Sequence, residues 1–435
     1  MMSAAQSQSK LEALECHFTW DLDPDKKKML HLKDKLEDIG TEEGNSWLGH
    51  IYNLQGFIQY KLGLTEEAQC LFSRATEAFH QLRGTEEGPW LVVNYGNLAW
   101  LHHHLGEEDK SQDYLSKVEA LIKKDPSPLQ DELHPEILAE KAWTLMKFDK
   151  EKRLLAADYF QRAIRMKPDM VQWQTSRVVG LMSVHKHSDT SLDGILEEIR
   201  MAREEDPENL YLAARDLDYR AKRGEQIEDE AHELAKKILT NPVSSYSGLK
   251  PLVRLYRTLN LYDDAIDVSE EALKKHPDER YLKRCAALCY KWKILSRDSR
   301  PNQRMLDKAI SLTKEVISLY PHTSLSKKID LALLYAKSVQ GLRKADQMFQ
   351  ELLERDLEPA DKQLIYNRYA RYLFYDRKDG QQSIRYNMKA AAIPHQGFYR
   401  QNSIKSLQRI AERGRHRMCR EIQEFLANLP DSESE

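Results

Sequence analysis

The chain has 435 residues, a formal net charge of -3, 31% charged and 41% hydrophobic residues, and only 17 Gly and 15 Pro. That balance fits a helix-rich soluble protein and excludes collagen-like and strongly charged disordered classes. No run of about 18 apolar residues is present, so no membrane span is expected. A charge near zero leaves a nucleic-acid partner open, because what matters is where the basic residues lie.

In chain order, residues 1–10 are polar, lack an apolar signal core and are expected to be disordered. Residues 11–20 are apolar enough to pack, and 29–39 read as a short amphipathic helix. From Trp47 the chain repeats. Gly56, Gly63, Ala68, Phe72 and Ala75 follow the small, turn, small, aromatic, small order of a tetratricopeptide repeat (TPR), a helix pair of about 34 residues. A weaker copy follows at 95–124, around Ala99 and Gly106, and a third copy at 137–168, where Ala156, Phe160, Ala163 and Pro168 match. Between them, 125–135 carries Pro126, Pro128 and Pro135 and reads as a loop. Further copies are expected at 171–206, 211–242, 249–277, 281–321, 325–359 and 363–394, then a last helix or two over 403–429 and an acidic tail. Small residues recur where two helices must approach, and proline closes a unit because it cannot continue a helix. The expected fold is all-α, a TPR superhelix (α-solenoid) with a basic inner groove or tunnel. The expected divisions are an N-terminal segment 1–46, TPR arrays 47–242 and 243–394, and a C-terminal basic helix and tail 395–435.

The 249–277 copy carries the chemistry. Leu249, Leu252, Val253 and Tyr256 share one helical face, and Lys250, Arg254 and Arg257 form a second stripe about a right angle away. A basic stripe beside the packing face points into the groove that the helix lines. Its alternative is a solvated face paired with Asp263 and Asp264. On the next repeat, Arg284 and Lys291 accompany Tyr281 and Trp292; aromatic or guanidinium planes hold single-stranded bases by stacking. Trp143 and Lys147 form an i, i+4 pair on one helix face, and a tryptophan there serves either packing or stacking. Lys405, Arg409, Arg413, Arg417 and Arg420 trace one face interrupted at Gly414.

The string Cys16-His17-Phe18-Thr19-Trp20 resembles the N-terminal signature of the IFIT family, interferon-induced proteins with tetratricopeptide repeats. The resemblance continues at Tyr52-Asn53-Leu54, Lys61-Leu62-Gly63, 142–147, Leu288-Cys289-Tyr290-Lys291 and 403–407, so it covers almost the whole chain. It implies a non-enzymatic, cytoplasmic antiviral effector of innate immunity that binds the 5′ end of single-stranded RNA, triphosphorylated or capped, and blocks its translation. By the same resemblance Lys250, Arg254 and Arg257 face the 5′ phosphates, Trp143 stacks on a cap base, and Lys35 and Tyr211 reach the RNA. Arg284 stands where the family usually has histidine. Departures at Ile39, Glu43, Asn45 and Ser183, the last in place of an RNA-contacting arginine, put cap recognition in question more than phosphate recognition; Arg177 or Lys186 are candidate replacements. Partners from homologous TPR proteins or self-association are open, and no DNA or membrane is expected.

Other classes have less support. A TPR adaptor for peptide tails needs lysine and asparagine at paired groove positions, where the first repeat has Asn53 and Phe57. The chain has no P-loop, His-Glu-x-x-His or Gly-x-Ser-x-Gly. His102-His103-His104 and the Cys285/Cys289 pair lack a second ligand pair, so neither a metal nor another cofactor is expected. The five cysteines (Cys16, Cys70, Cys285, Cys289, Cys419) show no framework spacing and are expected as free thiols.

Overall fold

The computed structural model describes residues 4–22, 24–40, 45–184, 192–296 and 300–429. Among the described residues the regular elements are 22 α-helices and short 3-10 turns, without strands. The chain forms two compact units, 1–285 and 286–435.

In the first unit, α1 (Ala4–Glu12) and α2 (Lys26–Leu36) precede paired helices: α3 (Leu48–Lys61) with α4 (Thr65–Arg83), α5 (Val92–His104) with α6 (Glu108–Lys124), and α7 (Pro135–Leu145) with α8 (Lys150–Met166). Three pairs follow: α9 (Val171–Val184) with α10 (Leu192–Glu205), α11 (Leu210–Lys222) with α12 (Glu228–Ile238), and α13 (Leu249–Thr258) with α14 (Tyr262–Lys275). Helix α15 (Arg280–Ile294) starts in the first unit and ends in the second. The second unit continues with α16 (Gln303–Leu319), α17 (Leu325–Ala336) paired with α18 (Leu342–Leu353), α19 (Pro359–Tyr375) with α20 (Gly380–Ala392), and α21 (Phe398–Arg413) with α22 (Cys419–Ala427).

The repeat residues act as their spacing requires. A Cβ at Gly56 would stand 2.7 Å from the Phe72 ring, so glycine lets α3 and α4 close. Ala68, Ala75, Ala156, Ala163, Ala265, Ala272 and Ala345 are all buried at comparable crossings. The turns within pairs use left-handed backbone at Gly63, Gly106, Gly224 and Asn260, the conformation that ends a helix with least strain at glycine or asparagine. First helices of successive pairs also touch, α3 with α5, α5 with α7, α11 with α13, and α17 with α19, and α3 also reaches α7. Each pair thereby covers an apolar face that it could not bury alone.

The N-terminus differs from expectation. Residues 4–10 belong to α1, whose Leu11 is fully buried with Ala99 and Leu115. Lys10 pairs with Glu119 at 2.7 Å, and the Trp100 indole donates to the Leu11 carbonyl at 3.1 Å. Tertiary anchoring offsets a polar sequence with little helical drive of its own. The next segment inserts among the repeats, with Cys16 and His17 fully buried. The His17 N–H donates to Asn97 Oδ1 at 3.1 Å. Asn97 Nδ2 lies 3.0 Å from His17 Nδ1, and Thr144 Oγ1 lies 3.1 Å from Nε2. Nδ1 therefore accepts and Nε2 carries the proton. Burial holds this imidazole down to about 3.

The C-terminal basic face is not continuous. Helix α21 ends at Arg413, and Gly414 turns the chain in left-handed backbone. Arg417 binds Gln381, and Arg420 pairs within α22 with Glu424 at 2.9 Å. The acidic tail lies outside the described residues. No described helix is long and apolar enough to cross a membrane.

Candidate nucleic-acid interface

Helix α13 starts at Gly248, in left-handed backbone, where a Cβ would lie 2.7 Å from the Leu210 carbonyl oxygen. That close approach fixes α13 against α11. Leu249, Leu252, Val253 and Tyr256 are fully buried, whereas Arg254 and Arg257 are exposed and Lys250 is half-buried. The Lys250 N–H donates to the Tyr281 hydroxyl at 3.2 Å, joining the start of α13 to α15.

The N-terminal segment closes onto this helix. Beyond α2, the Asp38 carbonyl accepts from the Ser245 N–H at 2.8 Å, and the Ile39 carbonyl accepts from Ser244 Oγ at 2.6 Å. The Asp38 carboxylate, nearly fully buried, pairs with Arg284 at 2.8 Å and Arg280 at 3.3 Å. Arg280 also binds Glu37.

These contacts gather cations. Arg153, Arg284 and Lys147 lie near Lys35, and Arg284 and Arg254 lie near Lys250. Burial, then the charges of Arg153, Arg284 and Lys147, hold Lys35 below the usual lysine range. Burial pushes Lys147 down to about 7. Burial, with Arg284 and Arg254 beside it, pushes Lys250 to about 7. Burial and like charge both disfavour the ammonium. Asp38, paired with Arg284 and Arg280, offsets only part of the positive charge.

Beside the cluster lies a cavity of about 430 Å³, lined by Trp47, Trp143, Tyr211, Tyr246, Asp206 and Asn209 among others. Ile39 and Asn45, two of the positions that depart from the family pattern, also line it. Trp143 is 2% exposed. Trp47 stacks near-parallel to it with centroids 5.7 Å apart, and Lys147 Nζ lies 4.1 Å from its ring centroid. Lys147 also donates to the Tyr246 hydroxyl at 2.9 Å. The indole is thus both a packing element and a cavity wall, and a base reaching its face must displace Lys147 or a neighbour. Tyr211, 5.5 Å from Tyr246 between centroids, is near Arg254 and Arg215.

The structure therefore brings together Lys35, Trp143, Lys147, Tyr211, Lys250, Arg254 and Arg284 in the first unit, with Arg257 farther along α13. Lys291 belongs to the second unit and pairs with Asp330 at 3.0 Å. Arg177 is committed to Glu198 by two bonds of 2.8 and 3.1 Å. Ser183 turns its hydroxyl to the Gly180 carbonyl. Lys186 and Glu43 lie outside the described residues. Asp264 takes His232 at 3.0 Å. His102 pairs with Glu107 at 2.5 Å.

Sequence reasoning missed Arg153, Trp47, Tyr246 and Asp38. Arg153 opens α8 with its Nε donating to the Phe148 carbonyl at 2.9 Å. Only its helical start position hinted at a fixed guanidinium. Asn53, the candidate peptide-clamp residue, is fully buried and donates to Glu140 at 2.8 Å, so it offers nothing to a peptide tail.

No family model matches the chain. The human antiviral innate immune response effector IFIT1 is 25% identical over 437 residues, covering 96% of this chain and 90% of that protein. Mouse interferon-induced protein with tetratricopeptide repeats 2 is 25% identical over 421 residues, covering 93% and 87%. A solved human IFIT1 dimer with m7Gppp-AAAA aligns with a TM-score of 0.73 at 24% identity, covering 97% of this chain and 96% of that one. A human IFIT1 dimer with PPP-AAAA gives 0.71 at 25%, covering 98% and 96%. Along almost its whole length the chain is similar to these IFIT proteins, and its repeat fold matches theirs.

Proposed function

We propose that this chain binds the 5′ end of single-stranded RNA in the first unit and acts as a cytoplasmic antiviral effector by sequestering that RNA, through binding and not catalysis. The observation that carries the reading is the cation cluster of Lys35, Lys147, Lys250 and Arg254, in which two lysines are held near neutrality. Phosphates relieve such a cluster by charge and by charge-assisted hydrogen bonds. IFIT1 dimers solved with PPP-AAAA and with m7Gppp-AAAA support the ligand class, and their dimeric state supports pairing with a second copy.

In this reading Lys35, Lys147, Lys250, Arg254 and the Arg153 guanidinium hold the 5′ phosphates, Arg257 extends the stripe, and Tyr211 borders the first nucleotide. Arg284 is oriented by Asp38 and lends charge. Lys291 contributes only if it exchanges Asp330 for phosphate. The Trp143 cavity is the place for a cap base, but Lys147 lies over the indole, so triphosphate is the better-fitted end. Pull-down with matched RNAs ending in triphosphate, cap or hydroxyl tests the proposal. The expected order is triphosphate, then cap, then hydroxyl; equal recovery of all three overturns it.

A further inference from the structure

The three consecutive histidines that close α5 take different roles. His102 and His103 hold the turn that follows, their Nδ1 atoms 2.5 Å from Glu107 and 2.9 Å from Glu108. His104 is exposed, and among the described residues it has ring contacts but no hydrogen bond or ion pair. It stacks on Tyr60 of α3, 13° from parallel with centroids 5.3 Å apart, and lies 5.2 Å from the Trp100 ring. Phe18 packs behind, 5.1 Å from Tyr60 and 6.1 Å from Trp100. Tyr60 and Trp100 are half-buried, and the flanking turn residues Leu64 and Leu105 are 40% and 44% exposed. The contact of α3 with α5 thus sets equivalent turns of two repeats side by side, with an aromatic ridge between them.

The rim of this ridge is acidic. Helix α4 opens with Glu66 and Glu67, and α6 is entered through Glu107, Glu108 and Asp109; all but the half-buried Glu107 are exposed. Among the described residues 60–67 and 104–110, these five carboxylates stand against two lysines, Lys61 and Lys110. Lys110 is taken by Glu107 at 3.0 Å. Burial, then the charges of His103 and Lys61, hold His104 below the usual histidine range, so at pH 7 its ring is neutral and offers a π face. The rim repels phosphate, and a wholly apolar partner would desolvate the carboxylates without pairing them. A guanidinium suits both features, because its plane stacks on a ring while its N–H fork meets a carboxylate. An ammonium has no plane to stack.

We propose that this ridge is a docking site for an extended, arginine-rich segment of a partner protein, with guanidinium groups laid on His104 and Tyr60 and paired with the carboxylates of the two turns. It is independent of the RNA reading. Its test uses the full chain and fluorescent octapeptides that alternate glycine with arginine, lysine or glutamate. The parent is expected to bind the arginine peptide about fivefold more tightly than the lysine peptide, from stacking, and not to bind the glutamate peptide. E67K/D109K is expected to lose about tenfold or more in arginine-peptide affinity, and His104→Ala about threefold. Both variants should melt like the parent and bind a 5′-triphosphate tetranucleotide unchanged. The same reversal placed on α12, D229K/E233K, should keep the parent's peptide affinity. A folded E67K/D109K that binds the arginine peptide as tightly as the parent overturns the proposal, as does an equal loss in D229K/E233K or equal binding of the arginine and lysine peptides. Self-association of the parent that His104→Ala abolishes would assign the ridge to a second copy and overturns it as well.

Discussion

Arg254→Glu reverses one charge in the middle of the α13 stripe. The side chain is exposed, and among the described residues the hydrogen bond at this residue beyond the helix ladder is a backbone one, Thr258 Oγ1 donating to its carbonyl at 3.1 Å. At about 5 Å from a phosphate and an effective permittivity of about 40, one unit pair interacts by about 1.7 kcal/mol. Reversal turns that attraction into repulsion, a change of about 3 kcal/mol, or a few hundred-fold in Kd. Folding should be spared, because the buried face of α13 is Leu249, Leu252, Val253 and Tyr256. Exposed substitutions usually stay within about 0.5 kcal/mol, and removing one cation also relieves Lys250. Fluorescence anisotropy with a 5′-triphosphate tetranucleotide, alongside circular-dichroism melting of the same preparation, measures both terms. A variant that melts normally and binds as the parent does refutes the reasoning, since the stripe would then be only a solvated face.

Three further outcomes follow from the buried groups. Phosphate binding should return protons to Lys147 and Lys250, both held at about 7 in the free protein. The bound state then carries more protons, so triphosphate affinity should weaken from pH 7 toward 9 and titration calorimetry in buffers of different ionisation enthalpy should show proton uptake; release, or none, would contradict the assignment. Trp143→Ala should lower stability by about 3 to 5 kcal/mol, seen as a lower melting temperature, and weaken capped RNA more than triphosphate RNA; an unchanged melt would show that the Trp47 stack is not structural. Glu140, pushed up to about 8 by burial, is protonated in the fold and ionised when unfolded between roughly pH 4.5 and 8. Its stabilising effect is therefore lost as pH rises through that window, and Glu140→Gln should gain on the parent by up to a few kcal/mol toward pH 8; a constant difference across pH would disprove the neutral carboxyl.

Local chemistry made the repeats legible. Gly63, Gly106 and Gly224 announce their turns because left-handed backbone favours glycine, and Gly56 marks a crossing because the Phe72 ring leaves no room for a Cβ. The α13 stripe was legible too, since helical periodicity alone separates its buried and basic faces. The rest of the cluster was not. Arg284 meets Asp38, and Lys35 meets Arg153, across chain separations that no local pattern encodes. Helix α1 escaped because its polar sequence is held by Leu11 and Trp100, a tertiary contact. The break in the C-terminal stripe was legible, because Gly414 adopts the left-handed backbone that ends α21.

The central claim is that the first unit holds 5′ phosphates, and salt dependence tests it most directly. Affinities of triphosphate and hydroxyl tetranucleotides should be measured between about 50 and 200 mM salt, where each neutralised phosphate on a single strand adds about 0.7 to the slope of log K against log salt. The prediction is a tighter Kd for the triphosphate and a slope steeper by about 2 or more. Equal affinities with parallel slopes would contradict it.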